Sequence, residues 1–119
     1  MILADSSVWI DHLRREIPEM SALLKNKQIV VHSLVLGELA CGNIRNRSEF
    51  FATLREAKQT TTLTVDEVVT FIDAHKLFGR GLGLTDCHLL AACKLEHHHL
   101  WTHDRPLAEA ARMLGLLYF

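Results

Sequence analysis

Met1-Ile2-Leu3-Ala4-Asp5-Ser6-Ser7-Val8-Trp9-Ile10 is the stretch on which the reading of this chain turns. Ile2-Leu3-Ala4 is too short an apolar run for a helix and suits a short buried strand. A carboxylate ends it abruptly. Ser6 or Ser7 can then cap a helix through about Arg15, with Val8, Trp9 and Leu13 turned inward. A strand that gives way to a helix within two or three residues opens a βαβ unit, and the rest of the chain repeats the alternation.

Ile29-Val30-Val31 and Leu100-Trp101-Thr102 read as further strands. Thr60 to Leu63 is β-prone but polar, which predicts a half-exposed strand, and Leu116-Leu117-Tyr118-Phe119 predicts a last one. Pro18 suits the first turn of a helix carrying Met20, Leu23 and Leu24. Ser33 can cap a helix with Leu34, Val35, Leu39 and Ala40 on one side. Asn46-Arg47-Ser48-Glu49 and Thr64-Val65-Asp66-Glu67 both have the form of a capping box. The first opens a helix bearing Phe50, Phe51, Leu54 and Ala57. The second opens one bearing Val65, Val68, Val69 and Ile72, which ends at the Gly79/Gly81/Gly83 cluster. Thr85 caps a nearly all-apolar helix from Asp86 to about Leu95. Asp104 caps one with Pro106 in its first turn and Gly115 beyond its end. The order βααβααβααβαβ predicts an α/β fold: a three-layer α/β/α sandwich around a parallel sheet of about five strands, with residues 1–119 as a single domain.

Apolar residues make up 49% of the chain and charged ones 23%, as in ordinary globular proteins. With 13 basic and 14 acidic side chains, the net charge of −1 gives no general footprint for nucleic acid. A polyanionic partner would have to be held by local basic patches and bound metal. Cys41, Cys87 and Cys93 are odd in number and lack CxxC spacing, so they read as small hydrophobes in a reducing compartment. The first residues carry no basic flank and meet a carboxylate at position five, and no apolar run approaches ~20 residues. The expectation is a cytoplasmic protein with neither signal peptide nor membrane span.

Four acids stand out by place. Asp5 follows the first strand, Glu38 lies in the opening turns of the helix after the second, Asp86 opens the helix before the fourth, and Asp104 follows that strand. Crossover helices run antiparallel to the strands, so helix N-termini and strand C-termini share one edge. All four acids therefore fall on the edge where open α/β sheets bind ligands. Two carboxylates ~5 Å apart repel by about 3 kcal/mol at an effective dielectric near 20. A helix N-terminus offsets only ~0.3–1 kcal/mol of that. A hard divalent cation is the usual resolution, and Mg²⁺ is content with one or two carboxylates plus waters and phosphate oxygens. Such a site can activate water toward a phosphodiester without a nucleophilic side chain. Ser6 and Thr102 sit beside the edge and can orient water or a carboxylate. Taken singly the acids also have structural readings: Asp104 as an N-cap, Asp86 as a first-turn acid, Glu38 as a solvated helix residue.

These residues resemble a known family. Asp5-Ser6-Ser7 after an apolar strand, Glu38-Leu39 followed by Gly42, Thr85-Asp86-Cys87-His88-Leu89-Leu90-Ala91-Ala92, and Trp101-Thr102-His103-Asp104 stand in the order and spacing of PIN domains. The likeness is closest to the VapC toxins of bacterial toxin–antitoxin pairs and runs from Ile2 to the final strand. The resemblance implies an endoribonuclease dependent on Mg²⁺ or Mn²⁺. Asp5, Glu38, Asp86 and Asp104 match the acidic quartet, with Asp5, Asp86 and Asp104 as metal ligands and Ser6 and Thr102 as supporting polar groups. It also implies a homodimer, an RNA substrate, and a cognate antitoxin that clasps the helices around 18–27 and 46–58, where Phe50, Phe51 and Leu54 offer either an apolar face or core packing. His103 departs from the basic or small residue more usual at its place.

Other features are set aside. His97-His98-His99 with His88 and His103 matches no zinc spacing, because consecutive residues entering a strand alternate in direction. Gly79-Arg80-Gly81-Leu82-Gly83 follows a helix and lacks the Lys-Ser/Thr of a phosphate loop, so it reads as a turn. Arg14, Arg15, Arg45, Arg47, Arg55 and Lys58 line an RNA path only if the fold makes them converge. Among non-catalytic readings, a receiver-like module needs an isolated Asp after the third strand, which Thr60–Leu63 lacks. A haloacid-dehalogenase-type phosphatase needs a second Asp where Ser7 stands. A PIN-like module that binds without cutting is the remaining alternative.

Overall fold

The computed structural model describes all residues from Met1 to Phe119. Strands β1 (Ile2–Ala4), β2 (Ile29–Val31) and β4 (His99–Trp101) form where the short apolar runs lie, and β1 and β2 are buried along their whole length. Strand β3 (Lys58–Gln59) is two exposed residues at the sheet edge. The four strands are parallel, in the order β3-β2-β1-β4.

The strand predicted at 60–63 thus lies two residues earlier. Pairing with β2, not an apolar pattern, creates β3: Val30 aligns with Lys58 and Val31 with Gln59. The predicted fifth strand reduces to one parallel bridge, Leu100 to Leu117, so the sheet has four strands where about five were expected. A three-residue neighbour offers little for the end of the chain to pair with.

Seven helices fill the connections: α1 (Ser6–Arg14), α2 (Pro18–Lys25), α3 (Ser33–Ala40), α4 (Arg47–Glu56), α5 (Val65–His75), α6 (Leu84–Glu96) and α7 (Arg105–Met113). The path β1→β2→β3 moves one way across the sheet and β3→β4 returns past β1. Right-handed crossovers then put α1–α4 on one face and α5–α6 on the other, the three-layer sandwich expected. Packing agrees, with α1 against α3 and α5 against α6. The main core of 23 buried residues includes Leu3, Val30, Leu90, Leu100 and Leu107, each fully buried. Phe51 and Leu54 belong to it, and Phe50 stands edge-on to Trp9 at 5.8 Å. The apolar face of α4 is therefore mostly core. Leu13, expected inward, is 39% exposed.

Several caps differ from expectation. Asp5 itself, not Ser6 or Ser7, caps α1, and His32, not Ser33, caps α3 through Nδ1, which accepts the Leu34 N–H at 3.0 Å. Asn46 sits in the left-handed region with no side-chain cap. The Thr64–Glu67 capping box forms as read. Helix α5 stops at His75, and the turn after it uses positive φ at Gly79 and Gly81, as befits a chain reversal.

Candidate active site

The order of strands changes direction between β1 and β4, so their C-terminal ends flank the switch point of the sheet. Asp5 leaves β1 there, and Thr102 and Asp104 leave β4. Asp5 is 6% exposed, and everything around it is arranged to hold its carboxylate. Oδ1 accepts the Val8 N–H at 3.2 Å, as an N-cap should, and also the Ser7 hydroxyl. Oδ2 accepts the Thr102 hydroxyl.

Each of those hydroxyls in turn accepts a backbone N–H from the β4–α7 turn: His103 to Ser7 at 2.9 Å, and Asp104 to Thr102 at 3.0 Å. A carboxylate only accepts, so each hydroxyl gives its one proton to Asp5 and takes the backbone N–H on a lone pair. Two parallel relays thus bind the end of β1 to the end of β4. Ser7, named in the sequence motif only as a possible cap, is the clamp that sequence reading missed. The signal was present, because a hydroxyl two residues after an N-cap Asp can turn back onto it.

Asp104 caps α7 as expected, with Oδ2 accepting the Leu107 N–H at 3.1 Å and the side chain facing solvent. Asp86 is the third residue of α6, whose cap is Gly83 and not Thr85. Its Oδ2 accepts the Gly83 N–H at 3.0 Å. Glu38 stands on the exposed side of α3 and takes one hydrogen bond, from the Ser6 hydroxyl to Oε1 at 2.8 Å. Ser6 therefore supports Glu38, and Thr102 supports Asp5.

Asp86 feels the other three acids. Asp86 is pushed above the ordinary carboxylate value, first by burial and then by repulsion from Asp104, Asp5 and Glu38, against the pull of the Gly83 N–H. No lysine or arginine forms an ion pair with any of them, since the only ion pairs are His98–Glu96 and His103–Asp11. No three acidic, thiol or imidazole groups form a ready cation cage. A Mg²⁺ ion keeps most of its waters and needs only one or two carboxylates. Asp86 Oδ1 and Asp104 Oδ1 accept no hydrogen bond, so the donor set fits such an ion.

The histidines scatter. His88 is buried edge-on to His32 with centroids 6.0 Å apart, His98 lies 3.3 Å from the N-terminal amine, and His103 binds Asp11. Next to Glu38 a groove of about 640 Å³ runs between α1 and the α3–α4 connection.

Against known proteins, the family model described as "PIN domain" matches residues 2–113. The chain is 38% identical over 117 residues to the protein named Ribonuclease VapC32 in two strains of Mycobacterium tuberculosis, CDC 1551 / Oshkosh and ATCC 25618 / H37Rv; the match covers 98% of this chain and 94% of each relative. A crystal structure of PAE2754 from Pyrobaculum aerophilum superposes with a TM-score of 0.64 over 92% of this chain and 78% of that one. At 17% identity that likeness speaks for the fold alone.

Proposed function

The chain belongs to the PIN-domain family, and from that premise we propose that it is the endoribonuclease toxin of a toxin–antitoxin pair, hydrolysing RNA with Mg²⁺ or Mn²⁺ at Asp5, Glu38, Asp86 and Asp104. One observation carries the reading: at the sheet edge beside the switch point Asp86 is repelled by Asp5, Glu38 and Asp104 alike, and none of the four has a basic partner. The similarity to proteins named as ribonucleases supports it over nearly the whole chain.

Asp5, Asp86 and Asp104 would hold the ion, one or two of them directly and the rest through its waters. When bound, it supplies an activated water and offsets charge that develops on the phosphodiester. Asp5 does not move, because both of its oxygens are held through the β4–α7 turn. Asp86 and Asp104 each keep one oxygen free of hydrogen bonds while the other stays on a helix N-terminus. Glu38, exposed and held by one serine, is free to orient water or accept its proton.

A cognate antitoxin, a homodimeric state and a cytoplasmic location belong to the same proposal. No helix is long and apolar enough to cross a membrane. The test is to map new RNA 5′ ends after brief expression without antitoxin. Wild type should create a defined set of ends and Asp5→Asn none. The same ends from both proteins would defeat the reading.

A further inference from the structure

We propose that the groove between α1 and the α3–α4 connection grips the RNA strand beside the cut, with Arg14 and Arg45 on phosphates and Ile10 and Leu13 under a base. The inference rests on the nuclease reading and adds a substrate subsite to it. Glu38 forms part of the groove wall, so a strand lying there passes directly into the acids.

Six basic residues were candidates for an RNA path, and the fold sorts them. Arg47 is consumed by structure: its guanidinium donates to the Ala40 carbonyl at 2.7 Å and the Gly42 carbonyl at 3.1 Å, and lies 4.9 Å above the Phe51 ring. Arg55 also stands over Phe51. Lys58 lines a different cavity with Lys27 and Met1. Arg14 and Arg45 alone of the six line the groove. Neither guanidinium takes part in a hydrogen bond or an ion pair. The carbonyl contacts of Arg47 meanwhile brace the turn that presents Asn43 and Arg45.

The groove floor matches the other half of a nucleotide. Ile10 is 41% exposed and Leu13 39%, although the helical pattern would bury Leu13. Single-stranded RNA presents charge on its backbone and flat apolar faces on its bases, and proteins take both at once. Asn43 offers a donor and an acceptor to a base edge. A polyanion approaching four carboxylates needs positive charge on its path, and two unpaired guanidiniums lining the same groove as Glu38 supply it.

The experiment uses Asp5→Asn protein, which leaves RNA uncut, and a short fluorescein-labelled RNA of random sequence. Binding is read by anisotropy from about 50 to 200 mM salt. Adding Arg14→Gln with Arg45→Gln should weaken binding about tenfold or more and flatten the log–log salt slope by roughly 1.4, or ~0.7 for each lost phosphate contact. Leu13→Ser should weaken binding with the slope unchanged, and Arg112→Gln, at the far end of α7, should change neither. An unchanged slope in the double arginine variant overturns the proposal. So does a double variant that binds RNA normally but no longer holds its protein antitoxin, which would make the groove a protein site. Cleavage by wild type is scored separately: a protein that shows the salt signature but never cuts keeps the subsite and loses the nuclease reading.

Discussion

The two sides of the acidic edge are built differently. On the β1–β4 side, Asp5 is buried, accepts three hydrogen bonds, and is tied through Ser7 and Thr102 to the backbone of the next turn. On the α3 side, Glu38 is exposed, has one serine for company, and borders an open groove with two free arginines. A group that must hold a fixed position is over-determined by its neighbours, whereas a group that meets substrate or water is left room. The contrast divides the site into an anchored part and an adaptable part.

Substitutions can break that division, and the largest effect belongs to Asp5. Asp5→Asn preserves size and the cap acceptor but removes the charge and sets an amide donor against one of the two hydroxyls that donate to Asp5, so RNA cleavage should fall to background and the melting temperature should drop by a few degrees. Next comes Thr102→Val, which leaves Asp5 Oδ2 without its donor and the Asp104 N–H without its acceptor. Metal affinity or cleavage should drop about 10–100-fold. Unfolding in urea should report a loss of about 1–3 kcal/mol, the penalty for buried polar groups left unpaired.

Two pH effects are smaller and opposite in sign. Asp86 has a raised carboxyl in the folded protein, so its contribution is favourable at low pH and is lost as pH rises past its ordinary value of 3.8. In EDTA at neutral pH, Asp86→Asn should therefore raise the melting temperature, and the gain should vanish in acid. His32, fully buried as the cap of α3, is depressed from 6.5 to about 4, chiefly by burial and then by His88. Its contribution is complete above pH 6.5 and is lost as pH falls toward 4. Urea midpoints should decline across that range in wild type and more gently in His32→Asn, which keeps an acceptor. The smallest effect is Ser6→Ala, within about 0.5 kcal/mol in stability as for other surface changes, with only a few-fold loss of cleavage. A Ser6→Ala defect as large as that of Thr102→Val would erase the distinction between the two sides.

Much of this was legible in the chain. β1, β2 and β4 are apolar runs that can only be buried, and alternation with amphipathic helices implies the parallel sheet that brings Asp5, Glu38, Asp86 and Asp104 to one edge. β3 was misplaced because Lys58 and Gln59 carry no strand signal of their own; Val30 and Val31 recruit their backbone. Cap assignments at Ser6, Ser33 and Thr85 failed by one or two residues because Asp5, His32 and Gly83 present equally good or earlier ends to their helices. The relay through Ser7 joins residues 96 apart in sequence, which no local pattern encodes. Convergence of Arg14 with Arg45, and diversion of Arg47 to carbonyls, likewise depend on tertiary placement.

The central claim is that the carboxylate edge cuts RNA only with a divalent ion. The direct measurement is the rate of RNA cleavage by purified wild-type protein, freed of antitoxin, in EDTA and after restoring Mg²⁺ or Mn²⁺. The account predicts no cleavage in EDTA and recovery on adding either ion, with Asp5→Asn inactive throughout. Equal cleavage in EDTA would contradict it.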